Sequence, residues 1–342
     1  MMQSAIQNLP KQFAWAPKIE NKEKFKRGKK IILLGMGGSH LAADLISAYD
    51  PSLNLKIHSD YGLPKLSEKE LAKSLIIASS YSGNTEEVID GLQTALAQNL
   101  NAAVISIGGK LLTIAKEKNL PYIQLPDTGI QPRSALGFSL KAMAKFMGAR
   151  EILAAAKELR KSLRPEEFEQ GGKDLAARLK GAVPVIYASA AKCAVALNWK
   201  IIFNETGKTP AFYNVLPELH HNEMTGFSAH LAARVSGPAP SLSAISGDMG
   251  GLKNLMEKFY FIFLRDGADE PRNLKRMEIL KKLYQDRGLP VETIELAGEN
   301  FWQKAFASLV LASWAAVYLA ASYGVASEQV PMVEEFKELT KK

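Results

Sequence analysis

The feature that most constrains this chain is the alternation, through its first half, of short apolar runs with amphipathic stretches of about three helical turns. "KIILLG", "LKIHS", "SLIIASS", "AAVISI" and "YIQLP" are interleaved with "SHLAADLISAY", "NTEEVIDGLQTALAQN" and "KLLTIAKEKN". Runs rich in Ile, Leu and Val, without polar alternation, read as strands buried on both faces. Strands separated by helices of this length predict βαβ units and a parallel sheet covered on both sides.

From about Gly137 the pattern turns helical, through "GFSLKAMAKFMGAREILAAAKELRKSL" and the polar "RPEEFEQGGKDLAARLKGA". A second alternation then starts at "VPVIYAS". It runs through "AAKCAVALNWKIIFNE", "FYFIFLRD", "NLKRMEILKKLYQDR" and "VETIEL" to a long apolar helix. The expectation is therefore α/β, with two doubly wound domains whose parallel sheets are flanked by helices. Residues 1–155 would form the first, with an N-terminal helical segment, and 156–342 the second, with C-terminal helices. A chain of 342 residues, 47% apolar, can bury two cores of ordinary size. Both halves open with an apolar strand leading into a helix, which suggests a diverged duplication.

Several classes are disfavoured. The single cysteine, Cys193, leaves no intramolecular disulfide framework and fits a reducing compartment; it reads as a small buried side chain. The first thirty residues lack the apolar core of a signal peptide. "AFASLVLASWAAVYLAASYGVA" (305–326) is long enough to span a membrane. It is rich in Ala and Ser, has no basic flank on its far side and stands alone, so it reads as a buried core helix. A cytoplasmic protein is expected, with no membrane partner. The net charge of +8 includes no basic block interleaved with aromatics, so a small anionic partner suits it better than nucleic acid. Five histidines and one cysteine show no metal-ligand spacing, and no metal or cofactor is expected.

Two turns carry the chemical signal. "LLGMGGSHLAADLI" places Gly37, Gly38 and Ser39 between a strand and a helix, where exposed backbone N–H groups meet the positive end of the helix dipole. The pattern is not the dinucleotide fingerprint, and no P-loop lysine follows it. One βαβ unit later, "SSYSGNTEEV" sets Ser80, Ser82 and Thr85 at a second helix mouth. One of these groups or Asn84 could cap the helix, or several could hold a phosphate. Parallel strands put both turns at the same edge of the sheet.

"GMGGS" and "SSYSGNTEE" resemble the sugar-phosphate turns of SIS (sugar isomerase) domains. "NLPKQ", "DYGLP", "PRSALGFSL", "FNETGKTPAFYNVLPELHHNEMTGF" and "RMEIL" resemble, in order, segments of the bifunctional phosphoglucose/phosphomannose isomerase family. The resemblance covers nearly the whole chain and implies that both domains are SIS-type. It implies phosphate binding by Ser39, Ser80, Ser82 and Thr85, with backbone contacts from Gly37 and Gly38. It also implies an aldose–ketose isomerase that interconverts glucose 6-phosphate, and by family mannose 6-phosphate, with fructose 6-phosphate through a cis-enediol. Glu205 matches the family's proton-transferring base and His221 its ring-opening histidine. Arg133 matches the arginine over the reacting carbons, and Lys337 the lysine of the C-terminal helix. A homodimer in which His221 reaches the partner's site is also implied.

Two departures stand out. His220 replaces a neighbour that is commonly polar. The tail "GVASEQVPMVEEFK" lacks the threonine linked in the family to the mannose epimer, which puts that activity in question. The alternatives are a non-catalytic SIS-type sugar-phosphate sensor, or another sugar-phosphate isomerase or deaminase.

Overall fold

A computed structural model describes residues 2–228 and 254–340. The chain divides into two compact units, one of residues 1–166 with 300–303 and one of residues 167–299 with 304–342.

The first unit is built on a parallel sheet of five strands among the described residues: β1 (Lys30–Gly35), β2 (Leu55–His58), β3 (Ser74–Ser79), β4 (Ala102–Ser106) and β5 (Tyr122–Gln124). Their order is β2-β1-β3-β4-β5. Every residue of β3 and β4 is buried, as their unbroken apolar character requires of central strands covered on both faces. Helices Leu41–Tyr49, Glu86–Ala97 and Gly109–Glu117 follow β1, β3 and β4. Ile32, Leu34, Ile76, Ala78, Val88, Leu92 and Val104 form one continuous core layer between sheet and helices.

This order reverses direction between β1 and β3. In open α/β sheets, the strand ends at such a switch point diverge into a crevice where ligands bind. Gly35, the last residue of β1, is in register with Ser79, the last of β3. The glycine turn and the hydroxyl turn therefore leave the sheet side by side.

The second unit has four parallel strands among the described residues: β6 (Val183–Ser189), β7 (Phe212–Leu216), β8 (Phe259–Arg265) and β9 (Val291–Glu295), in the order β7-β6-β8-β9. The order repeats β2-β1-β3-β4, as a duplicated unit would. The sequence pattern does not single out β7. It is an edge strand whose first four residues are exposed or half-buried, so its polar and aromatic side chains show no apolar run. Helix Phe301–Ser322 has the length and hydropathy of a membrane span, yet 67% of its apolar window is buried inside the protein. Phe306, Val310, Trp314 and Ala316 are each 1% exposed or less. Cys193 departs from expectation: it is half-exposed at the start of helix Cys193–Glu205, where Ala194 and Val195 take the core side of the first turn.

Candidate active site

The glycine turn folds as a short 3-10 segment, Gly37–Ser39, before helix Leu41–Tyr49. Ser39 binds the second turn directly. Its hydroxyl accepts the Tyr81 N–H at 3.0 Å, and its carbonyl accepts the Ser79 hydroxyl at 3.2 Å. Gly38 has a different neighbour: a Cβ there would lie 2.9 Å from the amide nitrogen of Arg133. Only glycine lets the 132–133 backbone approach this closely. Arg133 sits in its own 3-10 turn, Pro132–Ser134, and is 7% exposed.

In the hydroxyl turn, Ser80 and Thr85 place their side-chain oxygens 2.7 Å apart, and Ser80 and Ser82 theirs at 3.5 Å. The Ser80 hydroxyl also accepts the Gly83 N–H at 3.1 Å. Thr85 is the N-cap residue of helix Glu86–Ala97 but makes no side-chain cap bond. Asn84, the other capping candidate, turns its Oδ1 to the Lys110 N–H at 3.0 Å. Capping therefore does not account for these hydroxyls. They cluster at an uncapped helix mouth, beside the positive end of the dipole, in an arrangement suited to an anion.

The remaining sequence-predicted residues lie in the second unit. Glu205 is the last residue of its helix and half-buried. The ammonium of Lys208 donates to the Glu205 carbonyl oxygen at 2.6 Å and also to the Gln329 carbonyl, tying the helix end to the segment ahead of Lys337. His221 is exposed at the end of the 3-10 turn Glu218–His221. His220, half-buried, has a buried Nδ1 without a hydrogen-bond partner among the described residues. Burial, followed by the charges of Arg276 and His221, lowers its pKa below the ordinary imidazole value. Two residues on, Glu223 anchors this segment: it accepts the Tyr187 hydroxyl of β6 at 2.6 Å and the Asn214 amide of β7. Lys337 is exposed and pairs with Glu334 at 2.8 Å.

The structure thus brings Gly37, Gly38, Ser39, Ser80, Ser82, Thr85 and Arg133 together in one unit. Glu205 and His221 lie in the other, on separate elements. Sequence reading missed Lys208 and Glu223. Both fall inside the segment that carries the resemblance, but only the folded chain shows their partners.

The second sheet treats its switch point differently. The turns after β6 and β8 there carry Lys192, Asp266 and Asp269, all buried. Lys192 Nζ lies 3.1 Å from Asp266 Oδ2 and 3.0 Å from Asp269 Oδ1, and Lys304 lies 2.6 Å from Asp266 Oδ1. At this switch point the buried aspartates are paired with the protein's own lysines. Among the described residues, no three His, Cys, Asp or Glu side chains cluster for a metal ion.

In fold the chain is similar to glucosamine-6-phosphate deaminase from Thermotoga maritima, with a TM-score of 0.62 over 96% of each chain at 16% identity. Residues 168–339 match the family described as bacterial phospho-glucose isomerase C-terminal SIS domain. Fold and turns together define an SIS-domain protein. Over 98% of its length the chain is 30% identical to the bifunctional phosphoglucose/phosphomannose isomerase of Aquifex aeolicus, covering 97% of that protein. It is 29% identical to the enzyme of the same name from Caldicellulosiruptor bescii, over 94% of each. The chain belongs to the bifunctional phosphoglucose/phosphomannose isomerase family.

Proposed function

We propose that this protein interconverts glucose 6-phosphate and fructose 6-phosphate by proton transfer through a cis-enediol, without metal or cofactor. The observation that carries the reading is the uncapped helix mouth at the β1/β3 switch point, lined by Ser80, Ser82 and Thr85. These hydroxyls, with Ser39 and the backbone at Gly37 and Gly38, hold the phosphate. That leaves the sugar's C1–C2 end for residues elsewhere.

His221 opens the ring by moving a proton between O5 and O1. The Glu205 carboxylate then takes the C2 proton of the open aldose as the C1–C2 double bond forms and O1 gains a proton. The same carboxyl returns the proton to C1 as O2 gives up its own proton, balancing the one O1 gained, and the C2 carbonyl forms. Arg133 supplies fixed positive charge to the enediolate, and its burial keeps that charge from being screened by water. Lys337 serves the same end of the sugar from the C-terminal helix. The protein works in the cytoplasm as a homodimer in which the exposed His221 serves the partner's site.

The mannose epimer is a weaker substrate on this reading, because Glu328, Gln329 and Val330 stand where the family carries threonine. The test is a coupled assay of fructose 6-phosphate formation from each aldose phosphate. The reading expects turnover with glucose 6-phosphate. A folded protein that makes fructose 6-phosphate from neither would overturn it.

A further inference from the structure

We propose that Gln12, in the N-terminal segment, is a positioning residue that fixes the Arg133 turn against the phosphate site. The proposal rests on the role given above to Arg133. Gln12 ends the short helix Leu9–Gln12 and is 4% exposed. Its Nε2 donates to the Ser134 carbonyl at 2.6 Å. Its Oε1 accepts the Gly137 N–H at 2.9 Å and the Phe138 N–H at 3.4 Å. One side chain therefore grips both sides of the junction between the Arg133 turn and helix Leu136–Met147. That helix has no side-chain cap from its own N-cap residue, Ala135. Gln12 supplies the missing acceptor from 125 residues away in sequence.

The local chemistry admits few substitutes. The contact needs a donor toward a carbonyl and an acceptor toward two amides, and a neutral amide carries both. The space is also set: a Cβ at Gly137 would lie 2.9 Å from Gln12 Oε1. The Arg133 turn is thus clamped from two directions, by Gln12 at Ser134 and by the close approach of Gly38 at its backbone nitrogen. A separate bond holds the same N-terminal segment without touching the turn. Lys141 Nζ donates to the Phe13 carbonyl at 2.5 Å.

The test uses full-length Gln12→Glu, Gln12→Met, Lys141→Met and Arg133→Ala. Gln12→Glu keeps shape and acceptor but turns a second oxygen on the Ser134 carbonyl. It should lower kcat about 10- to 100-fold, the scale of a misplaced catalytic group. KM for glucose 6-phosphate and inhibition by inorganic phosphate should stay within about threefold, since the hydroxyl turn is untouched. The ratio of its activity to the parent's should rise as pH falls and the introduced carboxyl regains a proton, restoring the donor. Gln12→Met should show the same kcat loss with no recovery at low pH. Lys141→Met should lower the melting temperature and keep kcat.

The proposal is overturned if Gln12→Glu keeps parental kcat. It is equally overturned if phosphate affinity falls in step with kcat, or if Lys141→Met reproduces the kcat loss. Arg133→Ala separates the two levels: parental kcat in that variant refutes the reading of Arg133 itself. An impaired Arg133→Ala beside a fully active Gln12→Glu refutes only the role of Gln12.

Discussion

The side-chain oxygens of Ser80 and Thr85 meet at 2.7 Å across the mouth of helix Glu86–Ala97, and Thr85 spends no hydrogen bond on capping it. Ser80 is almost fully buried and held by the Gly83 N–H, whereas Ser82 is exposed. The Ser80–Thr85 pair is thus held in place by the turn's own hydrogen bonds.

On the proposed role of the hydroxyl turn, Thr85→Ala and Ser82→Ala each remove one donor to the phosphate. A hydrogen bond to a charged group contributes about 1.5–3 kcal/mol, so KM should rise on the order of tenfold or more. The exposed Ser82 should fall at the low end, and kcat should change little in both. Steady-state kinetics with glucose 6-phosphate checks the split.

Glu205→Gln keeps the size of the side chain at the helix end and removes the proposed base. General-base contributions of about 10²- to 10⁴-fold set the expected fall in kcat, with substrate still bound. Isothermal titration with fructose 6-phosphate, beside the kinetics, separates lost chemistry from lost binding.

Lys192 and Lys304 bracket Asp266 at the end of β8, and the Asp266 carboxylate is buried. Burial pushes the Asp266 carboxyl up, but Lys304, the Ala268 N–H and Lys192 outweigh it and hold its pKa below the usual aspartate value. Lys192→Met should destabilise the protein by about 3–5 kcal/mol, because it strands the buried Asp269 carboxylate. Because its pKa is depressed on folding, Asp266 stabilises the fold above its unfolded value of about 4, and that contribution is lost as pH falls further. Melting temperatures of parent and variant should differ at pH 7 and converge as pH falls below about 4.

His220 is held below the ordinary imidazole pKa, so the unfolded chain binds its proton more readily than the folded one. Its contribution is present above about pH 6.5 and is lost as pH drops through the lowered folded value. His220→Gln should flatten the fall in melting temperature below about pH 6.5. On activity, His221→Gln should cost turnover far more than His220→Gln.

The sheets were legible because their strands are buried on both faces and must be apolar throughout, as "SLIIAS" and "AAVIS" are. β7 was not, since an edge strand carries no such demand. The hydroxyl turn advertised itself by composition, but its sequence could not separate a cap from an anion site. Only the folded positions show that neither Thr85 nor Asn84 caps the helix with its side chain. Gln12 was invisible for another reason: its partners lie more than 120 residues away, and no local pattern encodes a contact of that range. Glu223 likewise reads as one charge in a polar stretch until Tyr187 and Asn214 close on it.

The central claim is that a carboxylate at Glu205 moves a carbon-bound proton on a sugar phosphate. Nuclear magnetic resonance of glucose 6-phosphate turned over in D2O tests it most directly. The account predicts fructose 6-phosphate with deuterium entering C1 over many turnovers, with product and exchange both slowed about 10²- to 10⁴-fold in Glu205→Gln. Product and exchange at the parental rate in Glu205→Gln would contradict it.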